Sequence, residues 1–148
     1  MGQGPALALG VTLAQSRHGV VVVTSEGSLL MNLGCLVTIA NHSADLYLVL
    51  IDNGVYEVTG GQAVPGAGRT DFAGLARAAG IKRVYSSQTV EEWRSCAAEA
   101  LSGHGPVVVC LKVAARAGQS PPTTARPMVE QLARLRQVLA DERSTGSL

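Results

Sequence analysis

The chain is short of aromatics, of charge and of paired cysteines, and each shortage removes a class of explanation. Aromatic residues are 3% of its 148 residues, against 47% hydrophobic overall, so the core must be built mostly from Val, Leu, Ile and Ala. Phe72 and Trp93 are isolated and offer no stacking platform for bases. Twelve Lys and Arg stand against eleven Asp and Glu, scattered along the chain, which excludes the basic patch that nucleic acid requires. Charged residues are only 16%, low for a surface that faces water on every side, and this points to a subunit interface. Three cysteines, at positions 35, 96 and 110, are an odd count without C-x-x-C spacing. That excludes a disulfide frame and a zinc site and leaves buried thiols in a reducing cytoplasm. No apolar run reaches 18 residues, so no membrane-spanning helix is expected. The opening MGQGPALALGVTLAQSRHG lacks the basic start of a signal peptide.

What is present is an alternation of helical and strand patterns. Residues 3 to 16 carry Leu7, Val11 and Ala14 at helical spacing, with Pro5 near the start. Val20 to Thr24 is a continuous β-branched run, which predicts a strand buried on both faces. Ser28 to about Asn41 reads as one helix, and Leu46 to Asp52 as a second apolar strand. Residues 54 to 70 are glycine-rich with Pro65 and read as a loop. Asp71 predicts a helix N-cap, with the helix running through about Ala79 to Gly80. Ile81 to Tyr85 reads as a short strand. Thr89 and Glu92 form a capping-box pattern for a helix to about Leu101. Pro106 to Val113 is a third strong strand. Residues 114 to 127 read as a crossing, and 128 to 140 as a last helix with Met128, Leu132, Leu135 and Leu139 on one stripe. The pattern predicts an α/β fold with an open, mostly parallel sheet and helices on both faces. One domain over residues 1–143 is expected, followed by a flexible tail, 144–148.

Two polar clusters stand at the ends of the first two strands: Thr24-Ser25-Glu26-Gly27-Ser28 and Asp52-Asn53-Gly54. Ligands of open parallel sheets bind beyond the carboxyl ends of the strands. Gly27 and Ser28 open a helix, where backbone N–H groups and a hydroxyl can face an anion. Glu26 suits a phosphate only if a cation lies between them, and Mg²⁺ commonly bridges a carboxylate and phosphates. Asn53 adds an amide oxygen from the next strand end. The other reading of the pair is a charge at a helix start and a turn-forming Asn-Gly. His18, His42 and His104 have no ligand spacing and read as exposed.

This constellation resembles the diphosphate-binding (PP) domain of thiamine-diphosphate-dependent enzymes. The family carries G-D-G-[S/A] and, about 27 residues on, an N-N or D-N pair. Here the matches are Ser25-Glu26-Gly27-Ser28 and Asp52-Asn53, with GSLLMNLGCLVTIA between them and MGQGPALALGVTLA before. The resemblance implies that Glu26, Asn53 and the Val55 backbone carbonyl bind Mg²⁺. It implies that Gly27 and Ser28 hold the diphosphate of thiamine diphosphate, and that Tyr56 and Glu57 begin the loop covering it. Met1, followed by Gly2, aligns with the apolar residue that props the cofactor in its bent form. The loop DNGVYEVTGGQ is most similar to sulfopyruvate and phosphonopyruvate decarboxylases, which implies decarboxylation of a small 2-oxo acid. The base-activating glutamate belongs to a PYR domain, so a PYR-domain partner chain, or a homo-oligomer, is implied. Three departures stand out. Glu26 replaces aspartate, and its extra methylene moves the carboxylate by about 1.5 Å. Ser25 replaces the first glycine, a costly change wherever φ must be positive. The strand–helix portion that precedes this methionine in the family is not in the sequence. These departures keep a second reading open, a degenerate, non-catalytic relative acting as an assembly partner. A third, an ordinary nucleotide-binding domain, lacks both G-x-G-x-x-G and G-x-x-x-x-G-K-[ST] after the first strand.

Overall fold

Leu46, Leu48 and Leu50 have no exposed surface, and the strand that carries them is the spine of the protein. The computed structural model describes residues 1–15, 19–116 and 126–144, in two compact units, Met1–Gly118 and Gln119–Leu148. In chain order the first unit contains α1 (Gly4–Ala14), β1 (Val20–Ser25), α2 (Glu26–Leu30), α3 (Cys35–Ala40), β2 (Leu46–Asp52), β3 (Val55–Tyr56), β4 (Gln62–Ala63), α4 (Phe72–Ala78), β5 (Arg83–Ser87), α5 (Val90–Ala100) and β6 (Val107–Lys112). The second contains α6 (Met128–Ser144). Among the described residues no helix is long and apolar enough to cross a membrane.

Four strands form an all-parallel sheet in the order β1-β2-β6-β5. Its register sets Val22 beside Leu48, and Leu48 beside Val108. The leucines of β2 face the larger core, where Leu9, Leu29, Leu36, Ile39, Phe72 and Ala76 pack from α1 to α4. On the other face Tyr47, Val107 and Val109 pack with Ala100 and Trp93 of α5. Each fully buried aliphatic side chain contributes about 1.5–3 kcal/mol, so the two central strands dominate the stability of the sheet.

The sequence reading of β1 is corrected in one respect. Val21 and Val23 are 59% and 63% exposed, so β1 is covered on one face only. It is an edge strand, and α5 packs on β5 and β6 at the far side of that face. Valine at four successive positions hides the alternation that would have revealed this.

The single helix expected over Ser28–Asn41 is two. α2 begins at Glu26, and the chain tightens through residues 31–34 before α3. There Met31, Asn32 and Cys35 donate to carbonyls three residues back, while the Asn32 side-chain amide donates to the Gly2 carbonyl. A long-range bond at Asn32 thus coincides with the break. The capping residues are as expected: Asp71 accepts from the Gly74 N–H at 2.8 Å and Thr89 from the Glu92 N–H at 3.1 Å. The Glu92 carboxylate accepts from the Gln88 N–H rather than returning to Thr89. Strand β5 lies two residues later than expected, at both ends, and α6 runs four residues further. Within residues 54–70, read as a loop, β3 and β4 form a short antiparallel hairpin around one turn of 3₁₀ helix, Glu57–Thr59. His18, most of the 114–127 crossing and the residues from 145 onward lie outside the described residues.

Burial separates the three thiols. Cys35 and Cys110 are 4% and 7% exposed, and Cys96 is half-buried. Burial raises the pKa of both buried thiols, that of Cys110 to about 11, with the carboxylates of Asp71 and Asp52 adding to the rise and Arg77 opposing it. A thiol titration at pH 8 with an aromatic disulfide reagent is expected to show one fast-reacting group in the native chain and three after denaturation. Three groups reacting alike in the native chain would contradict this packing.

Candidate functional site

Strands β1 and β2 are paired in parallel with Ser25 beside Ile51, so the segments leaving them emerge together. After β1 the chain turns at once into α2. Ser25 is extended, with φ −90° and ψ 159°, and its Oγ accepts from the Ser28 N–H at 3.2 Å. Serine is a favoured N-cap. No positive φ is required at this position, so the cost expected for replacing the glycine does not arise.

After β2 the chain turns at Asn53-Gly54. The Asn53 Oδ1 accepts from the Val55 N–H at 3.0 Å, an Asx turn. Gly54 has φ +78°, which glycine adopts without the Cβ penalty. The Val64 N–H donates back to the Gly54 carbonyl at 2.9 Å and closes the hairpin.

Glu26 joins the two strand ends. It is 1% exposed, and its Oε1 accepts from the Gly54 N–H at 2.7 Å. Its Oε2 is buried and finds no hydrogen-bond partner among the described residues. A buried polar atom without a partner costs about 1–3 kcal/mol, more when charged, and such atoms concentrate at functional sites. Beside it, Asp52 is held by Lys112 at 2.9 Å. Gly27 lies directly under the hairpin: a Cβ there would stand 2.4 Å from the Tyr56 ring and 3.0 Å from Val64. On the far side the Gly2 N–H donates to the Ser28 Oγ at 2.9 Å, which ties the first residues of the chain to the cluster.

These elements surround a cavity of about 280 Å³ whose lining includes Met1, Ser25, Asn53, Val55, Tyr56 and Glu57. Five of the nine residues singled out in the sequence therefore line one cavity. Glu26, Gly27 and Ser28 join it through the contacts just described, and Gly2 joins through Ser28. Sequence reasoning missed three features. The S-x-x-S capping pattern of Ser25 and Ser28 was readable locally. The Asn32 clamp on Gly2 and the bond from the Arg116 N–H to Glu57 at 2.5 Å span 30 and 59 positions and left no local trace. Among the described residues no cluster of three or more His, Cys, Asp or Glu could hold a metal. A cation here would rely on one carboxylate, one amide oxygen and a backbone carbonyl, a set that suits a hard ion such as Mg²⁺.

Residues 1–111 match the family described as thiamine pyrophosphate enzyme, C-terminal TPP binding domain. The chain belongs to that family. It is 36% identical over 114 residues to a phosphonopyruvate decarboxylase of Streptomyces hygroscopicus, in an alignment covering 76% of this chain and 28% of that protein. It is 32% identical over 113 residues to the sulfopyruvate decarboxylase subunit beta of Methanocaldococcus jannaschii, covering 76% and 59%. The thiamine diphosphate-dependent 4-hydroxybenzoylformate decarboxylase of Rhodococcus jostii shares the fold, with a TM-score of 0.64 at 23% identity over 81% of this chain and 24% of that one. The chain thus spans less than two thirds of the length of these relatives. The phosphonopyruvate and sulfopyruvate decarboxylases among these relatives are of the branch to which the loop after Asn53 pointed.

The contact at Gly27 gives a direct test. Gly27→Ala is expected to cost about 1–3 kcal/mol in urea unfolding, because the added methyl meets the Tyr56 ring. In Tyr56→Ala the same substitution should cost much less, and additive losses in the double-mutant cycle would contradict the contact.

Proposed function

We propose that this chain is the diphosphate- and Mg²⁺-anchoring subunit of a thiamine-diphosphate-dependent decarboxylase acting on a small 2-oxo acid. The observation that carries this reading is the buried, unpartnered Oε2 of Glu26, located between the two strand ends whose residues line the cavity. Glu26 and Asn53 would supply side-chain oxygens to the ion, and Val55 its backbone carbonyl. The Asn53 Oδ1 already accepts from the Val55 N–H, and a carbonyl oxygen keeps a second lone pair for a cation. Gly27 and Ser28 would hold the diphosphate, Met1 would pack against the cofactor, and Tyr56 and Glu57 would cover it. When bound, thiamine diphosphate supplies carbanion stabilisation. The work of this chain is to bind, orient and exclude water. A base-activating glutamate would come from a PYR-domain partner subunit, so the chain alone is expected to be inactive. The relatives named subunit beta support a divided enzyme. Three free cysteines suit a reducing cytoplasm.

A degenerate relative that serves only in assembly is the second reading. It is favoured by the engagement of groups around the anion site: the Ser28 N–H with Ser25, the Ser28 Oγ with Gly2, and the Tyr56 ring on Gly27.

Calorimetric titration of thiamine diphosphate, with Mg²⁺ and then with EDTA, tests the proposal in the presence of a candidate PYR-domain subunit. Mg²⁺-dependent binding that Asn53→Ala weakens by about tenfold or more is expected. No binding with a partner that demonstrably associates would leave the assembly role.

A further inference from the structure

Glu26 carries two jobs on one carboxyl group, and they are separable. Oε1 holds the Gly54 N–H at 2.7 Å, and Oε2 has no partner in a side chain that is 1% exposed. Gly54 is the first residue of the segment that bears Val55, Tyr56 and Glu57. Val64, 3% exposed and donating to the Gly54 carbonyl, anchors its far end, and the segment has few other anchors. Its strands pair over two residues each, Val55 with Ala63 and Tyr56 with Gln62. Tyr56 rests on Gly27, one residue beyond Glu26, and Glu57 accepts from the Arg116 N–H. Residues 57–63 are otherwise exposed. A two-stranded hairpin of this size is marginal alone, so its position depends on these few ties.

The geometry points to Glu26 as a positioning residue that couples cation occupancy to the hairpin. A cation bound at Oε2 fixes the carboxyl plane. Fixing that plane fixes Oε1, and with it the Gly54 N–H and the start of the hairpin that covers the cavity. The extra methylene that distinguishes glutamate from the family's aspartate then has a purpose: it lets one carboxyl group at the end of β1 reach the turn after β2 while keeping its second oxygen free. Aspartate at this position would retract the group by about 1.5 Å and give up one of the two contacts. The inference rests on the proposed cation role of Glu26 and adds a mechanical consequence to it.

Amide hydrogen exchange of this chain with an associated PYR-domain subunit, read with and without Mg²⁺ and thiamine diphosphate, tests the coupling. In the native protein the Gly54 amide and the amides of residues 55–63 are expected to exchange about tenfold more slowly when both are present, as local opening is suppressed. Glu26→Gln keeps the length and an acceptor for Gly54 but not the charge. It should keep the protection seen without Mg²⁺ and lose the increase on its addition. Glu26→Asp keeps the charge but not the reach. It should leave Gly54 unprotected under both conditions, even where calorimetry shows that the cofactor binds. Circular dichroism confirms that each variant is folded. Cofactor binding by the native chain with no change at Gly54 would overturn the coupling and leave the proposed function standing. Full protection in Glu26→Asp would overturn it too. Absence of any Mg²⁺-dependent binding by the native chain with a PYR-domain subunit that demonstrably associates would overturn the coupling together with the function on which it rests.

Discussion

A single hydrogen bond, from the Gly54 N–H to the Glu26 carboxyl group, ties the end of β1 to the turn after β2, and the rest of the site is arranged around it. Parallel pairing brings the two strand ends together, but the pairing stops at Ser25 and Ile51. Beyond that point each segment would be free to diverge. α2 sets off along one face, and the hairpin leaves through the turn at Asn53. Glu26 holds them in register one step further than the sheet can. The arrangement is costly, because it buries a carboxyl group with one oxygen unsatisfied. Such groups are rare in folded proteins, and packing alone does not account for them.

The apolar sheet makes this economical. Leu46, Leu48, Leu50, Val107, Val108 and Val109 are wholly or almost wholly buried, so the strands have no freedom to shift. A rigid platform lets a short, exposed hairpin carry Tyr56 and Glu57 without a core of its own. It also explains the glycines that matter. Gly54 turns through a positive φ, and Gly27 lets the Tyr56 ring lie against the backbone. Neither position adds a side chain to the core. Both set how closely two polar segments approach one another.

Much of this was legible in the sequence because it was local. Leu46–Asp52 was read with its observed bounds, since an unbroken apolar run between a turn and Asn-Gly leaves little choice. Asp71 and Thr89 announced their helices through capping chemistry that acts over three residues. The candidate site residues came from two strand-end clusters and a family resemblance, and five of the nine, Met1, Asn53, Val55, Tyr56 and Glu57, line one cavity. What failed was non-local. The exposed face of β1 depends on its place at the sheet edge, which four successive valines do not encode. The break between α2 and α3 coincides with a bond from Asn32 to a residue 30 positions away. The hairpin within 54–70 is bonded to Glu26, 28 positions before the residue it holds, and Glu57 meets a backbone group 59 positions on.

The two departures from the family motif are explained best together. Ser25 is an N-cap, extended and bonded to the Ser28 N–H, so α2 starts at the very next residue. Glu26 is therefore the first residue of a helix, and helical geometry directs its Cβ back toward the helix N-terminus, the end at which β1 arrives. From that starting point the side chain must still reach the turn after β2. A capping serine and a longer acid are then complementary: the first fixes where the helix begins, and the second spans the distance that the beginning imposes. Considered singly, Ser25 and Glu26 look like erosion of a binding motif. Considered as a pair, they describe one alternative way of holding the same two strand ends.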